Sequence, residues 1–154
     1  MKVLEQVAEF HKTFQHPILD SPQIPPPKRV QLRINLLAEE LQELEYAAKA
    51  GDIVGVADAL CDLQYVLSGA VLEFGLKDKF PALFDEVQRS NMSKACDSEQ
   101  EAQDTILAYL HEGYTDEIHY KERDGKFLVY RTKDMKTLKA KFYSPADLKK
   151  ILGC

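Results

Sequence analysis

The chain has 154 residues, 45% hydrophobic and 29% charged, enough for one globular domain with its own core. Twenty-five acidic against 20 basic residues leave a net charge of −5, which argues against a broad surface for nucleic acid or an acidic membrane. The three cysteines, Cys61, Cys96 and Cys154, form no CxxC pair and no even framework, so neither a zinc site nor a secreted disulfide scaffold is expected.

Val3, Val7, Phe10 and Phe14 recur at helical spacing and predict a first helix over 2–15. Its Glu5 and Glu9 do not suit a signal peptide, and no apolar run approaches membrane-spanning length, so a cytoplasmic protein is expected. HPILDSPQIPPPK then holds five of the seven prolines and reads as an extended connection ending with Pro27 at a helix start. From Lys28 to Lys49, Val30, Ile34, Leu37, Leu41, Leu44 and Ala48 share one face of a long helix. Gly51 stops it and Asp52 caps the next, where Ile53, Val56, Leu60, Leu63, Leu67, Ala70 and Phe74 repeat the stripe over about 53–75. So short a link makes the two helices run antiparallel, side by side. Cys61 reads as a buried free thiol in this pattern.

Pro81 opens a fourth helix carrying Leu83, Phe84 and Val87, and Ser98 with Glu101 forms a capping box for a fifth that ends near Gly113. EIHYKER and KFLVYRT flank Asp-Gly and predict a β-hairpin. SPADLKKIL closes the chain as a short helix with Ser144 as cap and Pro145 at its first position. The expectation is an all-α bundle in a single domain, 1–154, with a helical core over 1–113 and a hairpin and tail over 114–154.

The acids of the two long helices carry the chemistry. Glu39, Glu40 and Glu43 lie three or four apart, so they point one way and flank the apolar stripe. Asp58 and Asp62 do the same on the following helix. At ~1.5 Å per residue, Glu43 lies roughly 10 Å before the turn and Asp58 a similar distance beyond it, so the two sets are level. One acidic run on one helix is ordinarily a solvated face. Two runs matched across a hairpin would repel strongly without a cation, and hard oxygen donors select Mg²⁺ or Mn²⁺. No histidine lies on either acidic helix, which argues against a di-iron site, and no EF-hand loop is present.

LLAEELQELEYAA followed by VADALCDLQYVLSG resembles the all-α nucleoside triphosphate pyrophosphohydrolases, the superfamily of MazG-like proteins, phosphoribosyl-ATP pyrophosphohydrolase and dimeric dUTPases. Glu39, Glu40 and Glu43 match the family's EExxE, and Asp62 matches the Asp of its ExxD. The Glu of ExxD is replaced by Ala59, with Asp58 the nearest acid. FDEVQRSNMSK at 84–94 and the tail with KxxxYSPADL resemble a phosphoribosyl-ATP pyrophosphohydrolase-like, Cof-like subgroup.

The resemblance implies Mg²⁺-dependent cleavage between the α and β phosphates of a nucleoside triphosphate, giving monophosphate and pyrophosphate. Metal ligands would be Glu40, Glu43, Asp58 and Asp62, with Glu39 and Glu43 as catalytic acids and Glu39 either accepting the proton of the attacking water or holding a second ion. Asn91, Lys94 and Lys139 are expected at the phosphates, followed by Arg33 and Arg131. Arg33 reads equally as an ion-pair partner of Glu40, and Asn91 as a helix cap. Phe10 and Phe14 read first as core. A homo-oligomer, dimer or tetramer, is implied. The rival readings are phosphoribosyl-ATP hydrolysis and a helical protein that binds nucleotide or metal without turnover.

Overall fold

The computed structural model describes residues 2–153. Among them six helices and one antiparallel sheet form in the order α1 (Lys2–Thr13), α2 (Pro27–Ala50), α3 (Ile53–Glu73), α4 (Phe80–Met92), α5 (Glu99–His111), β1 (Ile118–Arg123), β2 (Lys126–Arg131), β3 (Lys136–Thr137) and α6 (Leu148–Leu152). The chain divides into two compact units, one up to Pro81 and one from Ala82 onward.

In the first unit, Pro27 occupies the first position of α2, where its missing N–H leaves nothing unsatisfied. At the other end Asp52 turns the chain, accepting from Val54 N at 3.0 Å and Gly55 N at 3.1 Å, while its own amide bonds Ala47 O at 3.0 Å. Both α2 and α1 pack on α3. Arg33, Ala59 and Leu4 are buried, and Val7 and Ala8 of α1 form a buried cluster with Leu72 of α3.

The α2 stripe read from the sequence is not the seam. Leu37, Leu44, Val56 and Leu63 are half-buried, but Ile34 is 53% exposed, Leu41 59%, Leu60 51% and Leu67 43%. The buried face of α2 is turned from that stripe by about 60°, toward Arg33 and Glu40. Small residues on α3, Ala59 and Gly69, let the helices approach there, and a buried ion pair needs the dry position more than leucines do. By length and composition α3 is apolar enough to cross a bilayer, which the run-by-run reading missed because Asp58 and Asp62 interrupt it. Cys61 is exposed rather than buried, because it lies on the flank of α3 away from α2.

The proline-rich connection is laid along the end of α3: Leu19 N bonds Leu72 O and Gln23 N bonds Phe74 O, both at 3.1 Å. Gly75 makes this possible. Its φ is +68° and a Cβ there would lie 1.9 Å from the carbonyl oxygen of Ser21. Gly75→Ala is therefore expected to lower stability by about 2 kcal/mol or more, through both left-handed strain and displaced backbone. Urea denaturation of the two proteins measures it.

In the second unit, Asp124 (φ 52°) and Gly125 (φ 73°) form the two-residue turn of the hairpin. The register runs from Ile118 opposite Arg131 to Arg123 opposite Lys126. The sheet packs on α5 around Cys96, Ala102, Val129, Leu138 and Ala140. Ser98 Oγ accepts from Glu101 N at 3.2 Å to start α5, and the Glu101 carboxylate accepts from Asp97 N at 2.8 Å. Ser144 does not cap the last helix. Asp147 does, accepting from Lys150 N at 3.2 Å, while Ser144 is held by α4.

Candidate active site

Glu40 is half-buried on the side of α2 that faces α3, whereas Glu39 and Glu43 are exposed beside it. Burial raises the Glu40 carboxyl above the usual range, and Asp62, Glu43, Glu39 and Asp58 push it the same way. All five acids thus share one neighbourhood. Ala59, 3% exposed, fills the seam at this level, and the carboxylates come from Asp58 and Asp62 beside it. As they stand, no three His, Cys, Asp or Glu side chains among the described residues are gathered tightly enough to enclose an ion. The donor set nonetheless fits a hard divalent cation. It consists of carboxylate oxygens on two facing helices, and the charge crowded around Glu40 is what a cation relieves.

Beyond the acids the seam carries cations. Glu73, 1% exposed, accepts from Arg29 Nε at 2.9 Å and from Arg33 through Nε at 2.9 Å and Nη2 at 2.5 Å, with Arg29 Nη2 also bonded to it. Arg33 is thus the partner of Glu73 and not of Glu40. Arg33 Nη2 also lies 3.2 Å from His11 Nε2. A guanidinium only donates, so Nε2 accepts and the proton sits on Nδ1, which donates to Pro17 O at 2.9 Å. Burial lowers the His11 pKa; the Pro17 bond opposes this and Arg33 adds to it.

Over this network Phe10 stacks on His16 at 5.8 Å and meets Tyr65 edge-on at 5.6 Å. With Leu32, Leu36 and the two arginines these rings line a cavity of about 220 Å³. Leu36 is four residues before Glu40 and Tyr65 three after Asp62, so the cavity lies about one helical turn from the acids. Phe14, 60% exposed, is not core.

The remaining predicted residues belong to the second unit. Asn91 Oδ1 accepts from Lys94 Nζ at 2.8 Å, so Asn91 serves a side chain, not a helix end. Arg131 pairs with Asp134 at 2.5 Å and Asp116 at 3.7 Å, and the hydrogen bond to Asp134 raises its pKa further. The ammonium of Lys139 lies 4.7 Å above the ring of Tyr143. Sequence reasoning missed Arg29, Glu73, His11, His16 and Tyr65. The one available signal was Glu73, a charge in phase with Ala59, Leu63, Val66 and Ala70 on the apolar face of α3.

Helical architecture and acids gathered around Glu40 are compatible with an all-α pyrophosphohydrolase, and the match to a family model gives the class. The family model described as phosphoribosyl-ATP pyrophosphohydrolase matches residues 7–91, and the chain belongs to that family, within the MazG-like superfamily of hydrolases acting on acid anhydrides. The chain is also similar to an uncharacterised protein of Acanthamoeba polyphaga mimivirus, 22% identical over 96% of this chain and 94% of that protein. The family match covers every predicted acid and ends at Asn91, so the sheet and the tail lie beyond it.

Proposed function

We propose that the protein is a Mg²⁺-dependent nucleoside triphosphate pyrophosphohydrolase, active also with Mn²⁺, that cleaves between the α and β phosphates. The observation that carries this reading is Glu40, half-buried on α2 with Asp62, Glu43, Glu39 and Asp58 near enough to raise its pKa. Glu40, Glu43, Asp58 and Asp62 would hold the ion, which when bound supplies charge neutralisation and a more acidic water. Glu39, exposed at the rim, takes up the water's proton. The half-exposed rings of Phe10 and Tyr65 offer the base a stacking surface. The SNMSK and KxxxYSPADL motifs mark Asn91, Lys94 and Lys139 as the phosphate-binding residues of the second unit. Arg33 and Arg131, already paired with carboxylates, contribute positive charge rather than direct contacts. The exposed apolar face with Ile34, Leu41, Leu60 and Leu67 suits a homo-oligomer, dimer or tetramer, and the setting is cytoplasmic.

The test is incubation of the protein with standard and damaged nucleoside triphosphates, and with phosphoribosyl-ATP, in Mg²⁺, resolving products by ion exchange. Monophosphate and pyrophosphate are expected from a free triphosphate, and neither from Glu43→Gln or Asp62→Asn. Diphosphate with orthophosphate would overturn the bond assignment. Turnover of phosphoribosyl-ATP alone would establish the second reading, which the family match favours.

A further inference from the structure

After β3 the chain from 138 to 147 has almost no regular structure. Side chains of α4 hold it. Glu86 accepts from Asp147 N at 2.8 Å, and Arg89 donates to Ser144 Oγ and to Pro145 O, each at 3.0 Å. Ser93 Oγ accepts from Ser144 N at 2.9 Å and donates to Ser90 O at 2.8 Å. Ser90, 3% exposed, lies 2.9 Å from the Tyr143 hydroxyl. The SNMSK and YSPADL motifs are thus two halves of one clasp.

Tyr143 is fixed at both ends, its hydroxyl on Ser90 and its ring beneath the Lys139 ammonium. The amide of Lys139 donates to the Tyr109 hydroxyl at 3.1 Å, so its main chain is anchored as well. Three lysines of this unit each face a carboxylate, Lys126 with Asp97, Lys133 with Asp116 and Lys141 with Asp104. Among the described residues no carboxylate lies within ion-pair distance of Lys139. A ring orients a cation by its quadrupole and leaves the charge uncompensated. A tyrosine beneath Lys139 therefore restricts the ammonium while keeping it available to an anion.

We propose that Tyr143 is a positioning residue whose ring presents Lys139 to a phosphate group. This rests on the reading of Lys139 as a phosphate contact. Two measurements test it, steady-state kinetics and protection of Lys139 from acetic anhydride by inorganic pyrophosphate, read by mass spectrometry. Lys139→Ala and Tyr143→Leu are expected to raise KM about fivefold with kcat within about twofold, and Tyr143→Phe, which keeps the ring, to stay near wild type. Pyrophosphate should protect Lys139 in wild type and Tyr143→Phe but not in Tyr143→Leu. A Tyr143→Leu protein with wild-type KM and protection would overturn the positioning role, even where Lys139→Ala is impaired. Unchanged KM in Lys139→Ala, with no protection of wild type, would remove the phosphate contact and the proposal with it. Absence of turnover on any nucleotide, with protection still dependent on Tyr143, would sink the enzymatic reading and uphold the positioning. Thermal melts confirm that each variant is folded.

Discussion

Glu40→Gln is expected to abolish turnover, by about 10²–10³-fold, and to raise the melting temperature of the metal-free protein. Both effects have one cause. Burial and four neighbouring acids raise the Glu40 pKa, so its ionised form is less comfortable folded than unfolded. A carboxyl with a raised folded pKa contributes its stability below the ordinary carboxylate pKa and loses it as pH rises through the folded value. The stability difference between Glu40→Gln and the metal-free wild type should therefore widen from acidic toward neutral pH, on top of changes that both proteins share. Mg²⁺ should restore the wild type through binding linkage and leave Glu40→Gln nearly unmoved. Melts in chelator and in Mg²⁺, at pH 5 and pH 7.5, read all of this. A variant melting below wild type in chelator would show Glu40 already satisfied without an ion.

Glu73→Gln should lower stability by about 3–5 kcal/mol, the scale of breaking a buried ion pair from one side. Two guanidiniums converge on this carboxylate, and the amide leaves them facing each other across the seam. Burial raises the Glu73 pKa, but hydrogen bonds from Arg29 and Arg33 outweigh it and the net shift is downward. A lowered carboxyl pKa contributes stability above the unfolded value and loses it as pH falls. His11, lowered chiefly by burial and further by Arg33, acts in the same direction but earlier, because an unfolded imidazole takes up its proton at higher pH than a carboxylate. Wild-type stability should accordingly fall below about pH 6.5 as the unfolded imidazole takes up its proton, and again below about pH 4.5. Urea titrations between pH 7 and pH 4 test the sequence of events. The first decline should vanish in His11→Phe and the second in Glu73→Gln.

Element boundaries were legible where the chain carries strong punctuation. Pro27, the Gly51–Asp52 pair, Ser98 and Asp124–Gly125 each dictate a local conformation that no tertiary contact has to overrule. The acid cluster was legible for a related reason, since Glu39 to Asp62 lie within one hairpin and helix geometry fixes their level. The phase of the seam was not. Periodicity reports which side of α2 is apolar, and it cannot report that Ile34 and Leu41 remain exposed while Arg33 is buried. Arg33 and Glu73 are 40 residues apart, beyond the reach of any neighbour rule along a helix. Ser144 illustrates the opposite failure. Ser-Pro is a sound local start signal for a helix, but hydrogen bonds to Arg89 and Ser93 use that serine for the clasp.

The tight link between α2 and α3 has a kinetic consequence. Hairpins closed by so short a connection form from local contacts, early and at little loop-closure cost. Zipping this one from Gly51 outward must bring Glu43 up to Asp58 before Arg29 and Arg33 can reach Glu73. The repulsive half of the seam thus assembles ahead of the attractive half, and the refolding barrier of the metal-free chain should contain that repulsion. Mg²⁺ should then speed refolding and not merely slow unfolding.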